Sequence, residues 1–473
     1  MALNLVRNSR VFFTSNVDAS TGVVATTGFT AANTQEIQVL DGFTFSQNTN
    51  ADTVTISEAG VAPVRGQRSF NTSLAPVDFS LSTYIRPANA TTSITAEESV
   101  LWNALFSTNA ISTANTISVT GVSGATYAFL NGTGTVTLAG TSMSLGSIVA
   151  GDWVTISGLS HATDGTILNS SAQIVGTPTS SEIKLELAAP KAGGAAISSI
   201  TAATTVKLYK SAWAPVAATY SVVTSAGSNT NQLQKFGMIF IVDSVTYVVD
   251  NCAMNQVMID FGLDAIATAA WTGQGTQLSQ SATITASTLS SATAKNISAP
   301  FITNKLSTVS MSLVNALGSA SAGTTYAVAL TGGSITINNN ISYVTPANLG
   351  VVNLPATYYT GTRAITGTLN AYLKTGSGVG STGQLLADML AAASSAVEPM
   401  AAISIAIGGN GNATKVVLDM PSVTFSIPTV DVQQVVSTSI NFTAEGYTAS
   451  STANANTFAL DEVNDIAVRY YSA

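Results

Sequence analysis

The feature that most limits how this chain can fold is an alternation of apolar and polar residues that recurs 288 positions further on. VDFSLSTYIR (Val77 to Arg86) aligns without a gap with ITGTLNAYLK (Ile365 to Lys374), and the two share a tyrosine, Tyr84 and Tyr372. In both segments the odd-numbered positions are apolar or small and the even-numbered ones mostly polar, the pattern of a strand with one buried face. A slip of one residue would turn the whole apolar set to the other face, so such a pattern fixes register as well as strand. Most of the chain reads the same way, as alternating runs of Val, Ile, Thr, Tyr and Phe between clusters of Gly, Asn, Asp, Ser and Pro.

Two segments depart from this period. In Ile94 to Asn109, Val100, Leu101, Ala104 and Leu105 share one helical face, and Thr95 with Glu98 forms a capping box. In Gly380 to Ser394, Ser381 and Gln384 repeat that signature ahead of Leu385, Leu386, Met389 and Leu390. Downstream, Met258 to Gly275 resembles Thr424 to Gly446, with Trp271 opposite Phe442 and Gly275 opposite Gly446. The expectation is an internal duplication: a mainly β chain of two tandem modules, each with one flanking helix.

The copies differ in length, the first carrying about 115 more residues after its helix. These fall at roughly Ala110 to Ser211 and have their own strand rhythm, as in GDWVTISGL (Gly151 to Leu159) and SSEIKLEL (Ser180 to Leu187). They read as a small all-β domain inserted at an exposed loop. The expected division is therefore module 1 over 1–109 and 212–278, the inserted domain over 110–211, a Ser/Ala/Thr-rich linker over 279–300, and module 2 over 301–473.

Composition then limits function. The chain has 16 Lys+Arg and 24 Asp+Glu, only 8% charged residues, against roughly a quarter in ordinary soluble domains. Ser, Thr, Asn, Gly and Ala fill the place of charge, so the surface is expected to prefer neighbouring protein to bulk water. A net charge of -8 argues against gripping nucleic acid, which takes clustered Lys and Arg. The single cysteine, Cys252, forms no intramolecular disulfide. MALNLVRNSRVFF carries no long apolar stretch, and the apolar run Gln384 to Ile407 is broken by Asp388, Glu398 and Pro399. Synthesis in the cytoplasm, with no membrane span, is the expectation.

Catalytic chemistry finds little support. The one histidine, His161, lies in LSHATDG within the insert and reads as a turn or surface residue rather than as part of a triad. One His and one Cys exclude a zinc site built from several of either. No P-loop or GxGxxG fingerprint is present, and Gly376 to Gly380 is the loop before the second helix. Asp260 and Asp264 share a strand face but stand some 13 Å apart at about 3.3 Å per residue, too far for a glycosidase pair. Asp52, Asp152 and Asp164 adjoin turn residues, and Asn89-Ala90-Thr91 is one of the chance triplets of a Ser/Thr/Asn-rich chain. The expectation is a protein that is not an enzyme and carries no cofactor or metal.

Several blocks, in order, resemble one family. LNLVRNSRVFF (Leu3 to Phe13), NTQEIQVLDGFTFSQNTN (Asn33 to Asn50), ISEAGVAPVRGQRSFNTSL (Ile56 to Leu74) and FSLSTYIRP (Phe79 to Pro87) are similar to the major tail tube proteins of long-tailed bacteriophages. So are LWNAL at Leu101, TGQGTQL at Thr272, NKLSTV at Asn304 and LTGGSITINNNISYVTPANLGVV (Leu330 to Val352). The resemblance runs from the first residue to about Gly446 and skips the insert.

It implies two tandem tail tube modules, β-sandwich or barrel-like, in which six modules surround a channel. Three chains then make a pseudo-hexameric ring, and homotrimeric rings stack into a tube. Strands of adjacent subunits continue one another's sheets. Relatives can carry an additional domain at the C-terminus, whereas here the extra domain is the insert, expected outside the tube.

The implied partners are further copies of the chain, a tape-measure protein, tail-tip or baseplate proteins and, in a contractile tail, a sheath. Genomic DNA passes through the lumen unbound, and an acidic wall repels it. By strand parity the lumen candidates are Asp78, Ser80, Ser82, Asp260 and Asp264, with Thr366, Thr368 and Asn370 as counterparts. The competing readings are a secreted or cell-surface β-rich adhesin or surface-layer protein, which predicts a secretion signal, and a tail hub or terminator, present in few copies.

Overall fold

In the computed structural model the alternating segments form long antiparallel strands. The structure describes residues 8–40, 42–57, 65–88, 95–106, 117–130, 133–146, 148, 150, 153–169, 171–187, 191, 197–210, 233–262, 266–295, 301–304, 307–313, 325–349, 351–374, 381–392, 400–408, 415–427, 429–431, 436–444, 447–449, 458–460 and 466–471. The principal elements of the N-terminal half are β1 (Arg10–Thr14), β2 (Thr34–Ile37), β3 (Thr44–Ser57), β4 (Arg65–Tyr84) and α1 (Ser99–Phe106). After the insert come β5 (Phe236–Val242), β6 (Val245–Gly262), β7 (Thr268–Gly275) and β8 (Gln277–Ser281). The C-terminal half contains β9 (Thr308–Leu313), β10 (Ala329–Asn338), β11 (Ala364–Tyr372), α2 (Thr382–Ala392) and β12 (Met400–Gly408). It ends with β13 (Lys415–Phe425), β14 (Thr429–Asp431), β15 (Ser437–Ala444) and β16 (Ala467–Tyr471).

One antiparallel sheet runs through both halves in the order β3-β4-β7-β6-β10-β11-β15-β13, with β14 prolonging β13 along β15. The halves meet where β6 pairs with β10, from Gln256 opposite Asn338 to Gly262 opposite Gly332. Strand order and register recur across that joint. Tyr84 lies opposite Thr268 and Thr268 opposite Asp260; Tyr372 lies opposite Ser437 and Ser437 opposite Asp431. Thr44 faces Ser80 as Ser334 faces Thr368.

This register corrects one alignment. Trp271 sits opposite Leu81 as Ile440 sits opposite Leu369, so Trp271 matches Ile440, and Phe442 matches Gly273. A phenylalanine that changes strand explains the shift. Phe79 on β4 lies across Gly273 on β7, whereas in the other half Gly367 on β11 lies beneath Phe442 on β15. A Cβ on either glycine would come within 3.0 Å of the facing ring. Each pair thus has one ring filling the space that the other residue leaves empty.

Odd-numbered residues of β4 from Val77 onward, of β6 from Val257 onward and of β7, β10 and β11 supply the core, among them Phe79, Leu81, Ile259, Phe261, Trp271, Ile335 and Leu369. Trp102 of α1 stacks with Phe106 at 5.7 Å and meets Trp271 edge-on at 4.9 Å. The C-terminal half covers this helix. Asn339 Nδ2 donates to the Leu105 carbonyl at 2.7 Å, the Arg363 guanidinium lies 5.6 Å over the Phe106 ring, and Trp102 Nε1 donates to the Tyr470 hydroxyl at 2.7 Å. Tyr470 in turn donates to Glu98 Oε1. The Glu98 side chain is drawn inward, and the helix starts at Ser99. In α2 the Ser381 hydroxyl does accept from the Gln384 N–H, at 3.2 Å.

Two domain expectations meet the structure differently. The 279–300 segment, expected to be a linker, is packed as far as it is described. Part of β8 lies in it, and Ile284 and Leu289 are buried with Phe12, Val24, Phe29 and Ile239. Two well-spaced apolar side chains suffice to anchor a run otherwise made of Ser, Thr and Ala. The described strands between Ile117 and Lys210 form a separate seven-stranded sheet, which shares no strand pairing with the large one among the described residues. Its own core includes Val136, Leu138, Val154, Ile174, Leu185 and Val206.

Candidate functional site

The core-forming parity of the large sheet leaves the opposite face open, and the candidate residues are gathered there. Asp78, Ser80 and Ser82 project from β4, Asp260 from β6, and Thr366, Thr368 and Asn370 from β11, alternating with buried neighbours or, at Gly367, a half-buried one. Asp264 lies outside the described residues. Strand pairing joins the candidates into rows. One runs Tyr84, Thr268, Asp260, Ser334, Thr368, Asn441; the next runs Ser82, Ala270, Met258, Thr336, Thr366, Thr443.

Short polar side chains on this face bond to one another rather than reach outward. Gln274 Nε2 donates to Asp78 Oδ1 at 2.9 Å, Thr368 Oγ1 to Asn441 Oδ1 at 2.8 Å, and Ser439 Oγ to Asn370 Oδ1 at 3.2 Å. The Thr44 and Ser80 hydroxyls are 2.7 Å apart. Over β10, β11, β15 and β13 the face is hollowed into a trough of about 400 Å³ lined by Ser334, Thr336, Thr366, Thr368, Thr424 and Thr443 among others. Among the described residues of the open face from Val77 of β4 through β7, β6, β10, β11 and β15 to β14, the charges are Asp78, Asp260 and Asp431, with no Lys or Arg; beyond them, the register of the β3–β4 hairpin puts Asp52 and Arg68 on the same side. Between β4 and β14 such a face has hydrogen-bonding capacity and a weakly negative potential.

Sequence parity missed Asp431, Asn441 and Thr443. The signal for Asp431 was present, since the 171-residue offset that sets Phe442 against Trp271 also sets Asp431 against Asp260, and strand pairing gives the two the same place, through Ser437 from Tyr372 and through Thr268 from Tyr84.

His161 is a turn residue. Its Nδ1 accepts the backbone N–H of Asp164 at 3.1 Å, and Lys191 Nζ donates to Asp164 Oδ2 at 2.9 Å. No cluster of His, Cys, Asp and Glu able to hold a metal ion occurs among the described residues, and none of their helices is long and apolar enough to cross a membrane.

At one end of the sheet the β3–β4 hairpin extends beyond its neighbours and exposes Val54 and Phe70. Beside it, the loop between Ser342–Val344 and Thr357–Tyr359 exposes Leu349, Val351, Val352 and Leu354. The two are tied together by Asn353, whose carbonyl accepts from Leu74 and whose N–H donates to Thr72.

A family model described as phage tail tube protein matches residues 162–444. The chain is also 25% identical over 452 residues to the tail tube protein pb6 of Escherichia phage T5, an alignment that covers 94% of this chain and 73% of that protein.

Proposed function

Since the chain belongs to the phage tail tube protein family, a structural component of the virion and not an enzyme, we propose that it polymerises as stacked trimeric, pseudo-hexameric rings whose lumen conducts DNA into the host cell. Each chain would supply two copies of one unit to a sixfold ring, and the tape-measure, tail-tip and baseplate proteins would be its partners in the tail.

The stagger of the sheet carries this reading. The row through Tyr84 reaches β11 at Thr368, four residues from Tyr372, the counterpart of Tyr84. Four residues amount to about 13 Å along the strands for about 19 Å across four of them, a tilt of roughly 35°. Closed barrels adopt that tilt, and 24 strands at that tilt enclose a channel about 45 Å across between backbones. The open face between β4 and β14 would be its wall, bearing hydroxyls, amides and carboxylates and, among its described residues, no cation that would hold a phosphate. The exposed apolar hairpin and loop at one end favour head-to-tail stacking, in which a repeated heterologous contact runs on without closing. A chain with so few charges suits a polymer that covers most subunit surface.

Charge reversal tests the lumen assignment. Phage carrying Asp260→Lys with Asp431→Lys should build tails of normal length but eject DNA more slowly, with a rate that recovers as salt screens the new charges. Normal ejection kinetics at low salt from tails of normal appearance would refute it.

A further inference from the structure

The contact between chains, which presupposes the ring reading, can be located from surfaces that are matched within one chain but unequally covered. Ile259 on β6 and Val430 on β14 hold corresponding positions, opposite Ala269 and Thr438. Ile259 is fully buried because β10 pairs beside it, with Ile335 as its partner. Val430 is 41% exposed, and no described strand lies on that side of β14. At the other end of the sheet, β3 corresponds to β10 and pairs with β4 alone among the described strands.

The helices show the same asymmetry. In α1 every residue except Val100 and Asn103 is buried, under Asn339, Arg363 and Tyr470 of the C-terminal half. In α2, Ala387, Leu390 and Ala391 form an exposed stripe, with Leu390 56% accessible. Both uncovered surfaces, β14 and α2, belong to the second half of the chain, whereas their counterparts in the first half, β6 and α1, lie under residues of the second.

We infer that the N-terminal half of a second copy covers both surfaces, in the register that joins the two halves of one chain. Asp260 pairs with Ser334 and Ile259 with Ile335 at the internal joint. Through the matched positions, these place Asp431 opposite Thr44 and Val430 opposite Phe45 of the second copy, with β14 antiparallel to β3. The α2 stripe then packs beneath the first half of that copy. Asp260 and Asp431 come to equivalent places beside every joint, so a three-chain ring carries six carboxylates at one level.

Paired cysteines read the register directly. Residues directly opposite in an antiparallel pair have Cα atoms about 4.5–5.5 Å apart, within disulfide reach, whereas partners two residues off lie beyond it. The native Cys252 is buried and does not compete.

Full-length Asp431→Cys/Thr44→Cys, assembled and oxidised, should run as covalent dimers and closed trimers on a non-reducing gel, and Asp431→Cys/Ser46→Cys should stay at least tenfold less linked. Leu390→Asp should leave a folded monomer with unchanged melting that no longer forms rings, and it decides the matter if the cysteine chains do not assemble.

Equal or stronger linking at Ser46, no linking in rings that do form, or normal assembly of Leu390→Asp would overturn the joint while leaving the tube reading intact. Absence of any ring from the wild-type chain supplied with tail-tip complexes would remove both.

Discussion

Glu98 shows how one side chain can differ from its sequence role. Written as the last member of a capping box, it is instead 2% exposed, with Oε1 bonded to Tyr470 and Oε2 unpartnered. Burial, with a smaller contribution from neighbouring Glu97, pushes its carboxyl up to about 7 from an ordinary 4.5, against the opposing pull of the Tyr470 and Trp102 hydrogen bonds. A carboxyl whose folded pKa is raised gives its full stability below the unfolded value. That contribution is lost as pH rises from about 4.5 to about 7. Glu98→Gln keeps the acceptor for Tyr470 and removes the charge. Thermal melts should show the variant equal to wild type near pH 4.5 and more stable at pH 8, by on the order of 3 kcal/mol. Equal melting at both pH values would mean that the site is hydrated rather than closed.

At the scale of elements, the sheet is held by cross-strand pairs, and the Phe–Gly exchange is the most specific of them. Gly367→Ala forces a Cβ into the Phe442 ring and should cost about 1–3 kcal/mol. The double exchange Gly367→Phe/Phe442→Gly reproduces the arrangement of Phe79 over Gly273. Denaturant unfolding should find it closer to wild type than Phe442→Gly alone, and a purely additive cycle would contradict the matched geometry.

Strand parity was legible in β4 from Val77 to Tyr84 and in β11 because one face of each is packed there, on Val77, Phe79, Leu81 and Thr83 and on Ile365, Leu369 and Ala371, with the candidate residues alternating between them. The alignment of β7 with β15 was not, because the aromatic residue moved from one strand to its neighbour and the sequence signal tracked the ring rather than the backbone. Packing of 279–295 was hidden for a different reason. Ile284 and Leu289 are isolated apolar residues with no period, and their packing partners are distant in the chain.

Viewed as a whole, the molecule is half-finished in a directional sense. Among the described residues β3 and β14 are each paired on one side alone, the sheet between them staggers by four residues per four strands, and its polar face turns outward from its own core. A chain that served as a monomeric adhesin would have reason to blunt such edges with Lys or Pro, and β3 carries neither along Thr44–Ser57. The insert, with its separate core, adds mass without contributing a strand to the large sheet among the described residues.

The most direct test of the account is electron microscopy of the purified full-length protein with tail-tip complexes, combining end-on class averages with mass per ring. The account predicts hollow tubes of stacked rings, three chains each, sixfold in outline at the inner wall and with the insert on the outside. Solid fibres, or monomers that never assemble, would contradict it.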